Sequence, residues 1–148
     1  FFTEANSDSI LMKPADGGDL EVVASKSAIM LATGENSADP RGLVVGSDGN
    51  LYMTDQTSNS LVRIDPTTGQ ATVVATEQQL DDLSGIRDID LEGGMIASPD
   101  GKIHFVSAGD PDAVFTYDIA TGERRWRRWH RWRRWQRGSR RGTARLAR

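Results

Sequence analysis

Four side chains of this sequence have the chemistry that a catalytic or metal site needs: Glu4, Arg41, Asp55 and His104. Glu4 and Asp55 lie 51 residues apart, and each follows a threonine at the end of a short apolar run. Two carboxylates at equivalent positions of a repeat could face one opening and bind a divalent cation through their oxygens. We favour the alternative that each carboxylate caps the turn after its run, as acidic side chains commonly do.

Arg41 and His104 are the two candidates for catalysis. The planar guanidinium of Arg41 could hold a carboxylate or a phosphate through two parallel hydrogen bonds. We favour a surface ion pair between Arg41 and the nearby Asp39. His104 occupies the position that Tyr52 has in the preceding copy of the repeat described below. We therefore expect a half-buried structural histidine at this position rather than a catalytic base.

The composition excludes several classes of site. The 148 residues contain no cysteine, which rules out disulfides and thiolate zinc sites. The two histidines are too few for a metal site made of histidine alone. No phosphate-binding loop, nucleophile elbow or metal-binding helix motif is present in the sequence. The apolar runs are far shorter than the roughly 20 residues that a membrane-spanning helix requires.

The candidate residues belong to a repeat whose copies are offset by 51 to 53 residues. The most complete copy, residues 42–75, contains GLVVGSDGNLYMTD and then NSLVRIDPTTGQATVVA. Its second half matches SILMKPADGGDLEVVA (9–24) at an offset of 51 and AVFTYDIATGE (113–123) at 53. Its first half matches SPDGKIHFVS (98–107) at an offset of 52. A period near 50 residues indicates a propeller, a solenoid or a similar array.

Each copy predicts four short strands separated by turns. In the complete copy the strands are 43–45, 51–54, 61–64 and 71–75. An Asp-Gly pair at 48–49 turns the chain between the first two, and Asp-Pro-Thr-Thr-Gly at 65–69 turns it after the third. Four such strands make one β-propeller blade. In the links between copies, 25–41 and 76–92, the sequence predicts only one helical turn, at 77–83.

The predicted fold is therefore all-β, an incomplete β-propeller over residues 1–123, with an irregular β-sandwich as the alternative. Blade 1 comprises strands 2–4 in residues 1–25, blade 2 is complete in residues 42–75, and blade 3 has strands 1–3 in residues 93–123. About two and a half blades leave edges and apolar faces unpaired and cannot close a ring. We expect this chain to be part of a longer protein whose other blades complete the ring.

Residues 124–148 form a tail of different composition. They contain 12 of the 18 basic residues and none of the 21 acidic ones, with tryptophan at every third position from Trp126 to Trp135. Such a segment would bind anionic lipid or single-stranded nucleic acid. The favoured alternative is a shifted reading frame, because CGG and TGG codons shifted by one base encode glycine, and glycine-rich linkers are common after domains. In both cases we expect blade 3 to lose its fourth strand at Arg124 and residues 124–148 to be unstructured.

Residues 42–75 resemble the NHL-type propeller repeat and are also similar to blades of the gluconolactonase-like and virginiamycin B lyase-like families. The resemblance covers nearly all of residues 1–123. It implies that the first strand of each blade lines a central channel and that ligands bind at one mouth of it. Metal-dependent members bind a cation there, so the resemblance implies calcium as a candidate cofactor, with Asp55 and Glu4 as candidate ligands. Lyase-like members carry a histidine where this chain has Arg41, which disfavours a lyase.

Three hypotheses of function follow. The favoured one is a binding or scaffold module outside the cytoplasm, periplasmic or secreted, that recognises a protein, a glycan or a small ligand at a channel mouth. The second is a divalent-cation-dependent hydrolase of lactones or esters that uses Arg41, Asp55 and Glu4, in which the metal polarises a carbonyl and activates water. The third is binding of nucleic acid or membrane by a genuine basic tail. The first is favoured because no catalytic set recurs from copy to copy.

Overall fold

The computed structural model describes residues 1–128, which form eleven strands and two helices. In chain order these are β1 (Phe2–Glu4), β2 (Ser9–Met12), β3 (Glu21–Ala24), α1 (Lys26–Thr33), β4 (Pro40–Val45), β5 (Leu51–Asp55), β6 (Ser60–Ile64), β7 (Ala71–Ala75), α2 (Glu77–Ser84), β8 (Met95–Ser98), β9 (Lys102–Ser107), β10 (Ala113–Asp118) and β11 (Arg124–Arg128).

The strands form three antiparallel sheets in which neighbours along the chain are also hydrogen-bonded neighbours. Sheet 1 has the order β1-β2-β3, sheet 2 the order β4-β5-β6-β7 and sheet 3 the order β8-β9-β10-β11. Each sheet is one copy of the repeat, and the all-β prediction is confirmed. The turns follow the predicted chemistry, because Gly49 and Gly69 have φ angles of 81° and 71° that favour glycine.

The sheets lie face to face, and their apolar side chains form two clusters. The cluster between sheets 1 and 2 includes Ile10, Ala24, Met53 and Val62, together with Ile29 of α1. The cluster between sheets 2 and 3 is larger and includes Tyr52, Leu61, Leu80, Phe105 and Phe115. Sheet 2 therefore buries both of its faces, because successive side chains of a strand point to opposite sides.

The C-terminal end of sheet 3 differs from the prediction. Residues 124–128 form β11, so the expectation that blade 3 loses its fourth strand at Arg124 is wrong. Trp126 pairs with Phe115 and packs against the cluster between sheets 2 and 3. The guanidinium of Arg124 donates to the carbonyl oxygen of Val74 in sheet 2, at 3.1 Å from Nε. The rest of the predicted tail, residues 129–148, lies outside the described residues.

The links between the sheets contain two helices of eight residues each, where the sequence predicted a single helical turn. Ser25 caps the start of α1 and Thr76 caps the start of α2, each accepting a hydrogen bond from a backbone N–H of the first turn. Both helices end at a left-handed glycine, Gly34 and Gly85. The two caps and the two glycines are each 51 residues apart, so the repeat continues through the links.

Candidate functional site

Asp55 is fully buried where β5 ends. Its Oδ1 accepts a hydrogen bond from the backbone N–H of Asp39 at 2.6 Å. Its Oδ2 accepts from the backbone N–H and the hydroxyl of Ser58, at 2.9 and 2.6 Å. The carboxylate thus joins the segment before β4 to the turn after β5, and both of its oxygens are used in doing so.

Glu4 makes the same kind of contact at the end of β1, in a more exposed place. Its Oε1 accepts from the backbone N–H of Asn6 at 3.0 Å, and its Oε2 from the backbone N–H of Ser7 at 2.7 Å. The Ser7 hydroxyl donates to Oε2 as well, at 2.6 Å. The Ser7 hydroxyl first, and then the two backbone groups, lower the pKa of Glu4 to about 2. Glu4 is therefore ionised at neutral pH and caps its turn.

The third copy has Ser107 at this position, and the serine plays the same part without a charge. Its Oγ accepts from the backbone N–H of Asp90 at 3.0 Å and from that of Gly109 at 3.2 Å. The turn-capping interpretation of Glu4 and Asp55 therefore accounts for all three copies. No group of three or more acidic or histidine side chains arranged for a metal ion occurs among residues 1–128. Cation binding by Asp55 and Glu4 stays a prediction.

Arg41 lies near the start of β4, and its side chain is exposed. Its Nη2 is 2.7 Å from Oδ2 of Asp39, so the predicted ion pair is confirmed. The counterpart of Asp39 in the next copy is Asp90, whose Oδ1 accepts a hydrogen bond from the side-chain amide of Gln56 at 3.0 Å. Arg41 is thus paired with Asp39, while the equivalent aspartate of the next copy binds an amide instead.

His104 lies on β9 and is half-buried, as predicted. Its Nδ1 is 3.0 Å from the hydroxyl oxygen of Thr116, its cross-strand neighbour on β10. Phe105 points into the cluster between sheets 2 and 3, so His104 faces the opposite side of sheet 3. The contact with Thr116 fits a structural histidine. Neither Asp55 nor Asp39 is a hydrogen-bond partner of His104, because Asp55 binds backbone groups and Asp39 binds Arg41.

Sheets 2 and 3 approach each other closely at two glycines whose contact the sequence did not predict. A Cβ atom on Gly42 would lie 2.5 Å from the carbonyl oxygen of Gly93 and 2.6 Å from Cγ of Met95. Gly93 itself has a φ of 117°. A side chain therefore has no room where β4 meets the segment before β8. The two glycines are 51 residues apart, but this spacing does not indicate that they meet.

Asn59 is a second residue that sequence reasoning missed. It has a positive φ of 46°, and its amide donates to Oε1 of Glu77 at 2.9 Å while its Oδ1 accepts from the backbone N–H of Leu91 at 3.2 Å. Asp8, 51 residues earlier, has a φ of 48° and forms an ion pair of 2.8 Å with Lys26. In both copies, therefore, the side chain of this left-handed turn residue binds the side chain of the first residue of the following helix.

Searches of protein-family models, of curated proteins and of solved structures found no match to this chain. Within the part of the chain that the structure describes, neither helix has the length and apolar character needed to cross a membrane. The class of protein defined by the fold is a stack of antiparallel β-sheets built from one repeated unit.

Proposed function

We propose that the repeat region is part of a β-propeller that serves as a ligand-binding scaffold. The contact between Gly42 and Gly93 is the observation that carries this proposal. It brings together β4 and β8, which are the first strands of successive sheets and lie at the same edge of each. Contact between the first strands of successive sheets is what blades of a propeller around a channel would have.

Ligand binding is favoured over catalysis because the equivalent polar residues serve the fold. Glu4, Asp55 and Ser107 all accept hydrogen bonds from backbone N–H groups. Arg41, by contrast, is exposed, and its one ion pair is with a surface carboxylate. A guanidinium in this position can bind a carboxylate group of a ligand beside Asp39 or in its place. The ligand class that we propose is an acidic glycan.

The proposal is tested by screening the full chain against immobilised acidic and neutral oligosaccharides and titrating the best acidic one by calorimetry. Arg41→Ala should lower the affinity at least about tenfold, since a hydrogen bond to a charged group contributes about 1.5–3 kcal/mol. The matched control is Arg63→Ala, which removes the exposed arginine of β6 and should leave the affinity unchanged. Absence of acidic oligosaccharide binding, or equal affinity in Arg41→Ala, would contradict the proposal.

A cation-dependent hydrolase remains the alternative proposal, and a titration with calcium chloride distinguishes it. The two oxygens of Asp55 already accept three hydrogen bonds, which disfavours metal binding there. Calcium binding that disappears in Asp55→Ala, in a variant that circular dichroism shows to be folded, would support the hydrolase instead.

A further inference from the structure

The outer face of sheet 1, which points away from sheet 2, exposes several apolar side chains. Phe2, Leu20 and Val22 are 39%, 55% and 63% exposed. Phe2 and Val22 both pair with Leu11, so Phe2, Leu11 and Val22 form one row across β1, β2 and β3. An exposed apolar row of this kind is unusual on a sheet face that water covers.

The counterparts of this row in sheet 2, 51 residues further along the chain, are covered. They are Met53, Val62 and Val73, and all three pack in the cluster between sheets 1 and 2. The outer face of sheet 1 therefore corresponds, in the repeat, to the face of sheet 2 that packs against the preceding sheet.

The outer face of sheet 3, which points away from sheet 2, also exposes apolar side chains. Ile96 and Val106 are 64% and 37% exposed, and their cross-strand neighbours are His104 and Val114. The counterparts of Ile96, His104 and Val114 in sheet 2 pack in the cluster between sheets 2 and 3; they are Val44, Tyr52 and Leu61. The outer face of sheet 3 therefore corresponds, in the repeat, to the face of sheet 2 that packs against the following sheet, sheet 3.

The two outer faces also differ in charge. β11 is the last strand of sheet 3, and two of its arginines, Arg125 and Arg127, point to the outer face, where Arg125 pairs with Glu123. β3 is the last strand of sheet 1, and residues 14–24, which include it, have three acidic residues and no basic one. Suppose that the outer face of sheet 3 packed on the outer face of sheet 1 in the way that sheet 2 packs on sheet 3. The last strands of the two sheets, β11 and β3, would then be neighbours. Their opposite charges would then favour this contact over a contact between like faces.

We propose that two copies of this chain associate head to tail, with the outer face of sheet 3 in one copy against the outer face of sheet 1 in the other. Such a heterologous contact either closes into a ring or continues as an open chain of copies. Only the stoichiometry rests on the proposed propeller. Residues 1–128 of two copies supply six sheets, which is within the roughly four to eight blades of a closed ring.

Sedimentation velocity of the full chain and of two variants tests this contact. Val22→Arg places a cation on the sheet 1 face, of the same sign as the arginines of β11, and Ile96→Asp places a charge within the apolar sheet 3 face. We expect the unchanged chain to sediment as a complex and each variant alone to sediment as a 16.2 kDa monomer. An equimolar mixture of the variants should restore a complex of one copy of each, because each variant keeps the face that the other has lost.

The controls are Leu31→Arg and Leu31→Asp, which carry the same charges on α1 at a residue that is 88% exposed and belongs to neither outer face. Both should associate like the unchanged chain. Circular dichroism verifies folding, and Leu20→Arg with Val106→Asp replaces the first pair if either variant is unfolded.

Each remaining outcome decides the question. A monomeric unchanged chain overturns the proposal, and so does a variant that still associates alone, since that indicates contact between like faces or through residues 129–148. A complex that stops at two copies supports both the head-to-tail contact and the closed ring. A complex that grows with concentration supports the contact and contradicts the ring.

Discussion

Asp55 uses its two carboxylate oxygens to bind three donors in a place that water does not reach. Two of these donors are backbone N–H groups, of Asp39 and Ser58. The contact to Asp39 crosses from the end of β5 to the segment before β4, so the side chain fixes how these strands begin and end. A buried carboxylate with these partners stabilises the fold whether or not the protein has a ligand.

Asp55→Ala should lower the free energy of unfolding by about 2–4 kcal/mol, because it leaves two partly buried N–H groups without an acceptor. Urea unfolding followed by circular dichroism measures the change. The control is Asp19→Ala, at an exposed aspartate, which should change the free energy of unfolding by less than about 0.5 kcal/mol. A cost below about 1 kcal/mol for Asp55→Ala would count against the structural role and favour a ligand-binding one.

The sequence allowed the turn-capping role of Asp55 and Glu4 to be predicted, because an acid before a polar turn has few other local partners. The partner Asp39 could not be predicted, since it lies 16 residues away and its position depends on the pairing of β4 with β5. The ion pair of Arg41 with Asp39 was predictable for the opposite reason. Its two residues are separated by only one other residue.

At the scale of elements, β11 shows how a biased composition can hide a strand. Its sequence RRWRR has the composition of a solvated basic segment, and for that reason the fourth strand of sheet 3 was not predicted. Alternation nevertheless places Trp126 on the inner face with Phe115, while Arg125 and Arg127 point the other way. One tryptophan on the inner face is enough to continue the apolar row of this sheet.

Trp126→Ala should lower the free energy of unfolding by about 2 kcal/mol, because it removes a large, partly buried side chain from the cluster between sheets 2 and 3. Thermal and urea unfolding of the full chain measure the effect. Arg125→Ala is the matched control on the same strand, and its exposed ion pair with Glu123 should contribute less than about 0.5 kcal/mol. Equal stability of the two variants would show that β11 does not pack on the sheet.

Helix α1 was not predicted, and α2 was predicted only as a single turn at 77–83, for a related reason. The strands were found by aligning copies of the repeat, but the links 25–41 and 76–92 share few identical residues. Their correspondence lies in caps and buried positions. Ile29 and Leu80, 51 residues apart, are both fully buried, although the other residues of the two helices differ in charge and polarity. Comparing the links by the role of each residue would have predicted both helices.

At the scale of the whole molecule, the stacking of the sheets depends on contacts that no single copy contains. Apart from β11, the number of strands follows from turn residues and alternating apolar positions, so it was predictable. The closeness of sheet 2 to sheet 3 depends on two glycines that meet only when both copies are folded. Within its own copy, a glycine in or just before a first strand is equally compatible with a turn or a bulge, so its contact with the next sheet was not predictable.

Gly42→Ala tests whether the close approach of sheets 2 and 3 contributes to the stability of the protein. The added Cβ would lie 2.5 Å from the carbonyl oxygen of Gly93, a backbone atom that cannot move without displacing its own segment. We expect a loss of about 1–3 kcal/mol in the free energy of unfolding, as for other overpacked sites. Gly18→Ala is the control, because its Cβ would have no neighbour closer than 3.4 Å and should cost less than about 0.5 kcal/mol. Equal stability of the two variants would mean that sheets 2 and 3 separate at this edge without cost, which would remove the contact between first strands on which the proposed propeller rests.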